Sequence, residues 1–123
     1  MSRTKVLLLM LATALVSVAA TLAVQEQRTR REPQFENDHV RVWKSIIYPN
    51  QPLRVHRHEH GRALIALTDG NLDVVNEAGE TVDVYEWKAG KAYWLDKDPP
   101  NQLHGDLNKG STTIEVIVVE LQE

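Results

Sequence analysis

Short apolar runs separated by turn residues are the feature that most restricts how this chain can fold. From Phe35 onward the apolar residues alternate with polar ones or form β-branched blocks, and turn residues interrupt them about every 8 to 12 residues. The runs are 40–48, 63–68, 72–75, 82–87, 92–95 and 113–121. None of them carries an apolar stripe at the helical period. This pattern predicts an all-β domain in which antiparallel sheets close on each other as a sandwich or barrel.

Two of these interruptions predict tight hairpin turns. Gly70 follows Asp69, and Gly79 closes the run Glu77-Ala78-Gly79. Glycine adopts the positive φ that such turns need without a steric penalty. We therefore expect both glycines at positive φ and the strands on either side of each turn to pair.

The first 23 residues have the pattern of a secretory signal. Two basic residues precede an apolar run from Val6 to Ala20, and small residues follow it. The alternative is an uncleaved membrane anchor, because a spanning helix needs about 20 apolar residues. Residues 24–34 lack apolar periodicity and are predicted to be a flexible linker, so the folded domain is expected to span 35–123. The expected location is secreted or periplasmic, with membrane attachment only if the signal is not cleaved.

Charge and cysteine content exclude several kinds of site and partner. Lys and Arg total 14 against 17 Asp and Glu, so no strong positive field is expected to attract nucleic acid. The chain has no cysteine, which excludes disulfides and thiolate metal ligands. Any metal would have to be held by imidazole, carboxylate or solvent oxygen.

The segment VHRHEHGR places three histidines at alternate positions. In an extended strand, alternate side chains share one face, so Arg54, His56, His58, His60 and Arg62 would lie together. Neutral imidazole suits Zn, Fe, Ni and Cu, and three such ligands with open water positions form a competent metal centre. The alternative interpretation is a solvated, histidine-rich strand end that binds nothing.

Two separated motifs resemble those of the cupin superfamily. The first cupin motif, G-x5-H-x-H-x3,4-E-x6-G, is matched by His56-x-His58 and by Gly70. The second, G-x5-P-x-G-x2-H-x3-N, is matched in mutual spacing at Pro99, His104 and Asn108. Asn101 stands at its glycine position, where positive φ is expected. The resemblance extends from about Val40 to Leu121 and implies a single antiparallel jelly-roll barrel.

The resemblance implies a site for a divalent metal ion (Zn, Fe, Mn, Ni or Cu) on His56, His58 and His104. The motif's glutamate would fall at position 62 or 63, which are Arg62 and Ala63. A guanidinium cannot ligate a metal, but it offers a planar fork to a carboxylate or phosphate.

Three residues are therefore predicted to bind a small anionic ligand: Arg62, Arg54 and His60. The alternative role for Arg62 is a salt bridge to a barrel acid such as Glu115 or Glu120.

These observations leave three functions open. The first is an exported cupin-domain protein whose histidine-rich pocket binds a small anionic molecule. The second is a metal-dependent enzyme, such as an oxygenase, isomerase or lyase, that uses a three-histidine centre. The third is a structural role in the cell envelope. A homodimer is also expected, because the apolar run Val40 to Ile47 would form an open edge strand for a second subunit.

Overall fold

The computed structural model describes residues 27–122, and all regular secondary structure in this range is β. The eight strands are β1 (Arg30–Glu36), β2 (Val40–Ile47), β3 (Arg62–Ala66), β4 (Gly70–Val75), β5 (Thr81–Trp87), β6 (Ala92–Leu95), β7 (Gly105–Leu107) and β8 (Ile114–Leu121). No helix of the described residues is long and apolar enough to cross a membrane. The predicted signal segment, 1–23, lies outside the described residues, as does the start of the predicted linker.

The strands form two antiparallel sheets that enclose one core. The larger sheet has the order β1-β2-β8-β3-β6, and the smaller has the order β5-β4-β7. The core between them consists of Trp43, Ile47, Leu64, Ala66, Leu72, Trp87, Ile114, Val116 and Val118. This is the jelly-roll architecture predicted from the sequence, and that prediction is confirmed.

Strand alternation places charged residues at the end of the core layer. On β8, Ile114, Val116 and Val118 are buried and share a face with Glu120. On β3, Arg62 shares the buried face with Leu64 in the same way. The register pairs Arg62 with Glu120, so both residues lie at the same end of the barrel.

The folded domain begins earlier than the sequence predicted. β1 pairs antiparallel with β2 from Arg30, five residues before the predicted start at Phe35, so part of the predicted linker is a strand. Most of its residues are exposed, which explains why no apolar alternation marks it. Because β2 pairs with β1 on one side and β8 on the other, its predicted open edge is wrong.

The predicted turns are correct at one glycine and wrong at the other. Gly79 has a φ of 80°, and Asn101, at the motif's glycine position, has a φ of 62°. Gly70 instead begins β4 without positive φ, and the flanking strands β3 and β4 belong to different sheets. A Cβ at Gly70 would lie 2.7 Å from Ile114 Cγ1, so glycine is required there by close packing.

Candidate metal centre

Backbone hydrogen bonds bring the two histidine segments side by side. The His56 amide donates to the carbonyl of His104 at 2.7 Å, and the His104 amide donates to the carbonyl of His56 at 2.9 Å. His58 is fixed by Asp98, whose Oδ2 accepts from the His58 amide at 2.6 Å and whose own amide donates to the His58 carbonyl at 2.8 Å. The strand pairing of the barrel therefore builds the cluster directly.

The three imidazoles form a compact group. One ring nitrogen from each of His56, His58 and His104 lies within 4.8 Å of the others. The ring centroid of His56 is 4.8 Å from that of His58 and 4.6 Å from that of His104. The buried His58 ring also stacks parallel to Trp43, with 6.1 Å between centroids. Of all the groups of His, Asp and Glu in residues 27–122, this is the one that could hold a metal ion.

Each imidazole turns its Nδ1 toward an oxygen of the protein. His56 Nδ1 lies 2.6 Å from the carbonyl oxygen of Arg54, and His58 Nδ1 lies 2.7 Å from Glu120 Oε1. His104 Nδ1 is 3.3 Å from Asp98 Oδ2. An acceptor at Nδ1 favours the tautomer that carries its proton there, which leaves a lone pair on Nε2. This is how ligating histidines are oriented around metals in proteins.

The remaining nitrogen of His56 has no partner. His56 Nε2 is buried and makes no hydrogen bond within the described part of the chain. Burial, with a smaller contribution from the nearby Arg31 charge, lowers the pKa of His56 to about 4, so the ring is neutral at pH 7. Burial also lowers the pKa of His104. A buried, unpartnered lone pair on a neutral imidazole fits a metal ion, which needs a neutral nitrogen ligand.

Glu120 behaves as an ionised partner of the cluster. Burial acts to raise its pKa, but the hydrogen bond with His58 and the nearby Arg62 charge hold the pKa below its ordinary value. A carboxylate behind a histidine increases the basicity of that ring and fixes its orientation.

Arg62 lies inside the barrel but is engaged by the protein. It is buried, and its Nη1 donates to the carbonyl oxygen of Asp96 at 3.1 Å. Its Nη2 is 4.0 Å from Asp98 Oδ1. The predicted alternative, a salt bridge to a barrel acid, is thus found, but the partner is Asp98 and neither of the two named glutamates. Glu120 accepts from His58, and Glu115 lies 3.6 Å from Lys44 Nζ.

The predicted common face for the segment from 54 to 62 is wrong, because most of this segment is not a strand. The chain bends at Glu59 and His60 and enters β3 only at Arg62. His60 is half-buried and lies outside the three-histidine group. Arg54 is exposed but borders an open pocket of about 420 Å³ that His56 also lines.

Sequence reasoning missed Arg31, which lines the same pocket. Its guanidinium carbon lies 4.7 Å from the centroid of the Trp43 ring. Neither Arg31 nor Arg54 makes a side-chain hydrogen bond or salt bridge with residues 27–122. No signal in the sequence separates Arg31 from the other charges of the predicted linker.

Asp106 was also missed, although a weak signal was present. The spacing His104-x-Asp106 puts both residues on one face of an extended segment. Asp106 Oδ2 lies 3.8 Å from His56 Nε2.

The space around the cluster differs between the inside and the outside of the barrel. The interior cavity that touches His58 and His104 measures only about 30 Å³, which is room for a few waters. A wider open pocket of about 690 Å³ borders His104 and is lined by acids that include Asp83 and Asp98. A ligand of several atoms therefore has to approach the histidines from outside.

Known structures share this architecture. A cupin domain from Bordetella pertussis Tohama I superposes with a TM-score of 0.67 at 19% identity, covering 78% of this chain and 95% of its own. The chain has the cupin fold. A double-stranded beta-helix protein from Klebsiella pneumoniae is 23% identical with a TM-score of 0.56, covering 78% of both chains. The polyketide cyclase RemF from Streptomyces resistomycificus is 20% identical with a TM-score of 0.55, covering 79% of this chain and 67% of its own.

No protein-family model and no curated protein matches this sequence. The similarity to these cupin structures therefore concerns the fold, and the chemistry has to be argued from the residues of this chain.

Proposed function

We propose that this protein binds a divalent transition metal through the Nε2 atoms of His56, His58 and His104 and uses it to hold a small anionic molecule. The observation that carries the proposal is the buried, unpartnered Nε2 of His56, in a group of imidazoles that are all oriented through Nδ1. Nitrogen ligands favour Zn, Fe, Ni or Cu over Mg or Ca. When bound, such a metal supplies positive charge and Lewis acidity to the ligand.

Two arginines support an anionic ligand. Arg31 and Arg54 line the open pocket beside His56, and neither guanidinium has a hydrogen-bond acceptor among the described residues. A planar guanidinium binds a carboxylate with two parallel hydrogen bonds. A carboxylate in this pocket would lie beside both arginines and next to His56, one of the proposed metal ligands. In this proposal Arg31 takes the role that the sequence gave to Arg62, whose donors already contact Asp96 and Asp98.

Metal content tests the first half of the proposal. The protein purified without a histidine tag should contain a transition metal by elemental analysis, or should bind Zn²⁺ in a calorimetric titration. His58→Ala and His104→Ala should remove that binding and keep the β circular dichroism spectrum. His39→Ala is the matched control, because His39 is exposed and lies outside the group. Equal metal binding by all of these proteins would contradict the proposal.

Succinate binding tests the second half. Zinc-loaded protein should bind this dicarboxylate, and Arg31→Met or Arg54→Met should weaken binding about tenfold each, as expected for loss of a charge-assisted hydrogen bond of about 1.5 kcal/mol. Arg41→Met is the control, since Arg41 pairs with Glu36 away from the histidines. Unchanged affinity in both pocket variants would refute the role of the arginines.

A metal-dependent enzyme is the second candidate, favoured by the 690 Å³ pocket that borders His104. A substrate of ten or more atoms fits such a volume. Oxygen consumption by the iron-loaded protein with added dicarboxylates would support this candidate over a binding protein.

Export and dimerisation belong to the proposal as well. Cleavage within the first 23 residues would be shown by N-terminal sequencing of the protein from the periplasm or medium. For the homodimer we propose β1 as the contact strand, because it lies at an edge of the larger sheet and its Phe35 is 58% exposed. Light scattering at micromolar protein should give twice the chain mass, and a monomer mass would contradict this.

A further inference from the structure

We propose that Asp106 supplies the carboxylate ligand that position 62 lacks. The inference rests on the proposed function, since it assigns a fourth protein ligand to the metal held by the three histidines. Arg62 stands where the cupin motif has its glutamate, so a carboxylate would have to come from another element. Asp106 on β7 is placed to provide it.

The backbone around Asp106 fixes the direction of its side chain. β7 begins at Gly105, directly after His104, and the alternation of an extended chain puts Asp106 on the same side as His104. The Leu53 amide donates to the Asp106 carbonyl oxygen at 3.0 Å, which holds β7 against the segment that leads to His56. At Gly105 a Cβ would lie 3.1 Å from the Leu53 carbonyl oxygen, so the two segments pack closely.

Two hydrogen-bond acceptors face each other at this point. His56 Nε2 lies 3.8 Å from Asp106 Oδ2, and the His56 ring has its proton on Nδ1, against the Arg54 carbonyl. No donor from residues 27–122 reaches the Asp106 carboxylate, whose side chain is only 14% exposed. A lone pair and a carboxylate in this position repel each other unless a proton or a metal cation lies between them.

The separation also suits coordination. Two ligand atoms that each lie about 2.1 Å from a tetrahedral metal are about 3.4 Å apart. The observed 3.8 Å exceeds that by a few tenths of an ångström, which a side-chain rotation can close.

Asp106 differs from Glu120 and Asp98 in the side of the imidazole rings that it faces. Glu120 and Asp98 lie behind the rings, at the Nδ1 atoms of His58 and His104. Asp106 instead faces an Nε2 atom, on the side that remains free for a metal. It is therefore the carboxylate that can coordinate, whereas the other two orient the imidazoles.

Cobalt spectroscopy of a cysteine variant tests this assignment directly. The chain contains no cysteine, so a thiolate-to-cobalt charge-transfer band in Asp106→Cys can come only from position 106. A thiolate ligates at about 2.3 Å, which suits this position. We expect the band in Asp106→Cys loaded with Co²⁺ and none in Glu86→Cys, the control at an exposed residue of β5.

A second variant keeps the test open if Asp106→Cys does not fold. Asp106→Asn preserves the shape of the side chain and should weaken Co²⁺ and Zn²⁺ binding at least tenfold. Loss of a residue that only hydrogen-bonds to a metal ligand already lowers metal affinity about 10-fold to 100-fold, and loss of a ligand should cost no less. Glu86→Gln makes the same charge change and should leave affinity unaltered.

The outcomes separate this inference from the proposed function. Cobalt binding by Asp106→Cys without the band, or unchanged affinity in Asp106→Asn, overturns the role of Asp106 and leaves the three-histidine site standing. A wild-type protein that binds neither Co²⁺ nor Zn²⁺ overturns both.

Discussion

The two sides of the imidazole cluster are built in opposite ways. On the Nδ1 side every ring faces a protein oxygen, from Arg54, Glu120 or Asp98. On the Nε2 side the His56 nitrogen makes no hydrogen bond among the described residues, and the Asp106 carboxylate lies 3.8 Å from it. We call these the framed side and the open side.

The framed side holds its charges in one connected network. Asp98 accepts from the His58 amide, lies beside His104 Nδ1 and is 4.0 Å from Arg62. A buried network that is satisfied in this way fixes a unique arrangement, whereas buried groups without partners oppose folding. The difference is what the proposed function requires, with the framed side maintaining the shape of the site and the open side left for the proposed metal.

The largest effect on stability is expected from the framed side. Arg62→Met removes the buried cation beside Asp98 and leaves that carboxylate without its counter-ion. Breaking a buried ion pair on one side costs about 3 kcal/mol or more, so the free energy of unfolding in urea should fall by that amount. A fall in the free energy of unfolding of less than about 1 kcal/mol would show that the framed side is not needed for stability.

Metal should stabilise the fold through the open side. Zn²⁺ at a hundred times its dissociation constant should raise the free energy of unfolding by about 2.7 kcal/mol, since only the folded chain presents the site. His56→Ala should abolish this gain because it removes the unpartnered Nε2. Denaturant titration with and without Zn²⁺ measures both, and a full gain in the variant would show that His56 is not a ligand.

Glu120→Gln sharpens the comparison because Glu120 lies at Nδ1 of His58, on the framed side, and influences the Nε2 of the same ring, on the open side. Loss of the carboxylate behind His58 should weaken Zn²⁺ binding about 10-fold to 100-fold, or about 1.4 to 2.7 kcal/mol. Glu115→Gln is the control on the same strand, since Glu115 pairs with Lys44. Equal affinities in the two variants would place Glu120 outside the support of the site.

The smallest effect on stability is expected at Arg31. Arg31→Met removes the contact with the Trp43 ring, which is worth at most about 1 kcal/mol. It also removes an attraction to Asp106 and Glu120, which the burial of the guanidinium offsets. The midpoint of urea unfolding should therefore stay almost unchanged while succinate affinity falls. A loss of stability as large as that of Arg62→Met would mean that Arg31, like Arg62, belongs to the framed side.

The barrel and its three histidines could be predicted because their signals are local. Short β-branched runs indicate strands, and the resemblance to the two cupin motifs singles out His56, His58 and His104. Asn101 was expected at positive φ from its place in the second motif, and its φ is 62°.

The rest of the site depends on tertiary contacts that leave little trace in the sequence. β1 has no alternation because it is an exposed edge strand, so Arg31 could not be told from linker residues. His60 was misplaced because the chain bends before Gly61, where a Cβ would lie 2.3 Å from the Trp94 ring. Arg62 and Asp98 are brought together only by the tertiary fold, so no sequence spacing predicts that they pair.

The reciprocal amide pairing of His56 and His104 ties the site to the folding order of the chain. These residues come from opposite halves of the sequence and meet only when the two parts of the barrel have closed. Contacts between distant segments form late because loop closure has to precede them. Capture of the proposed metal would thus report the closure of the barrel, and in a stopped-flow refolding experiment the cobalt spectrum should develop after the β circular dichroism signal.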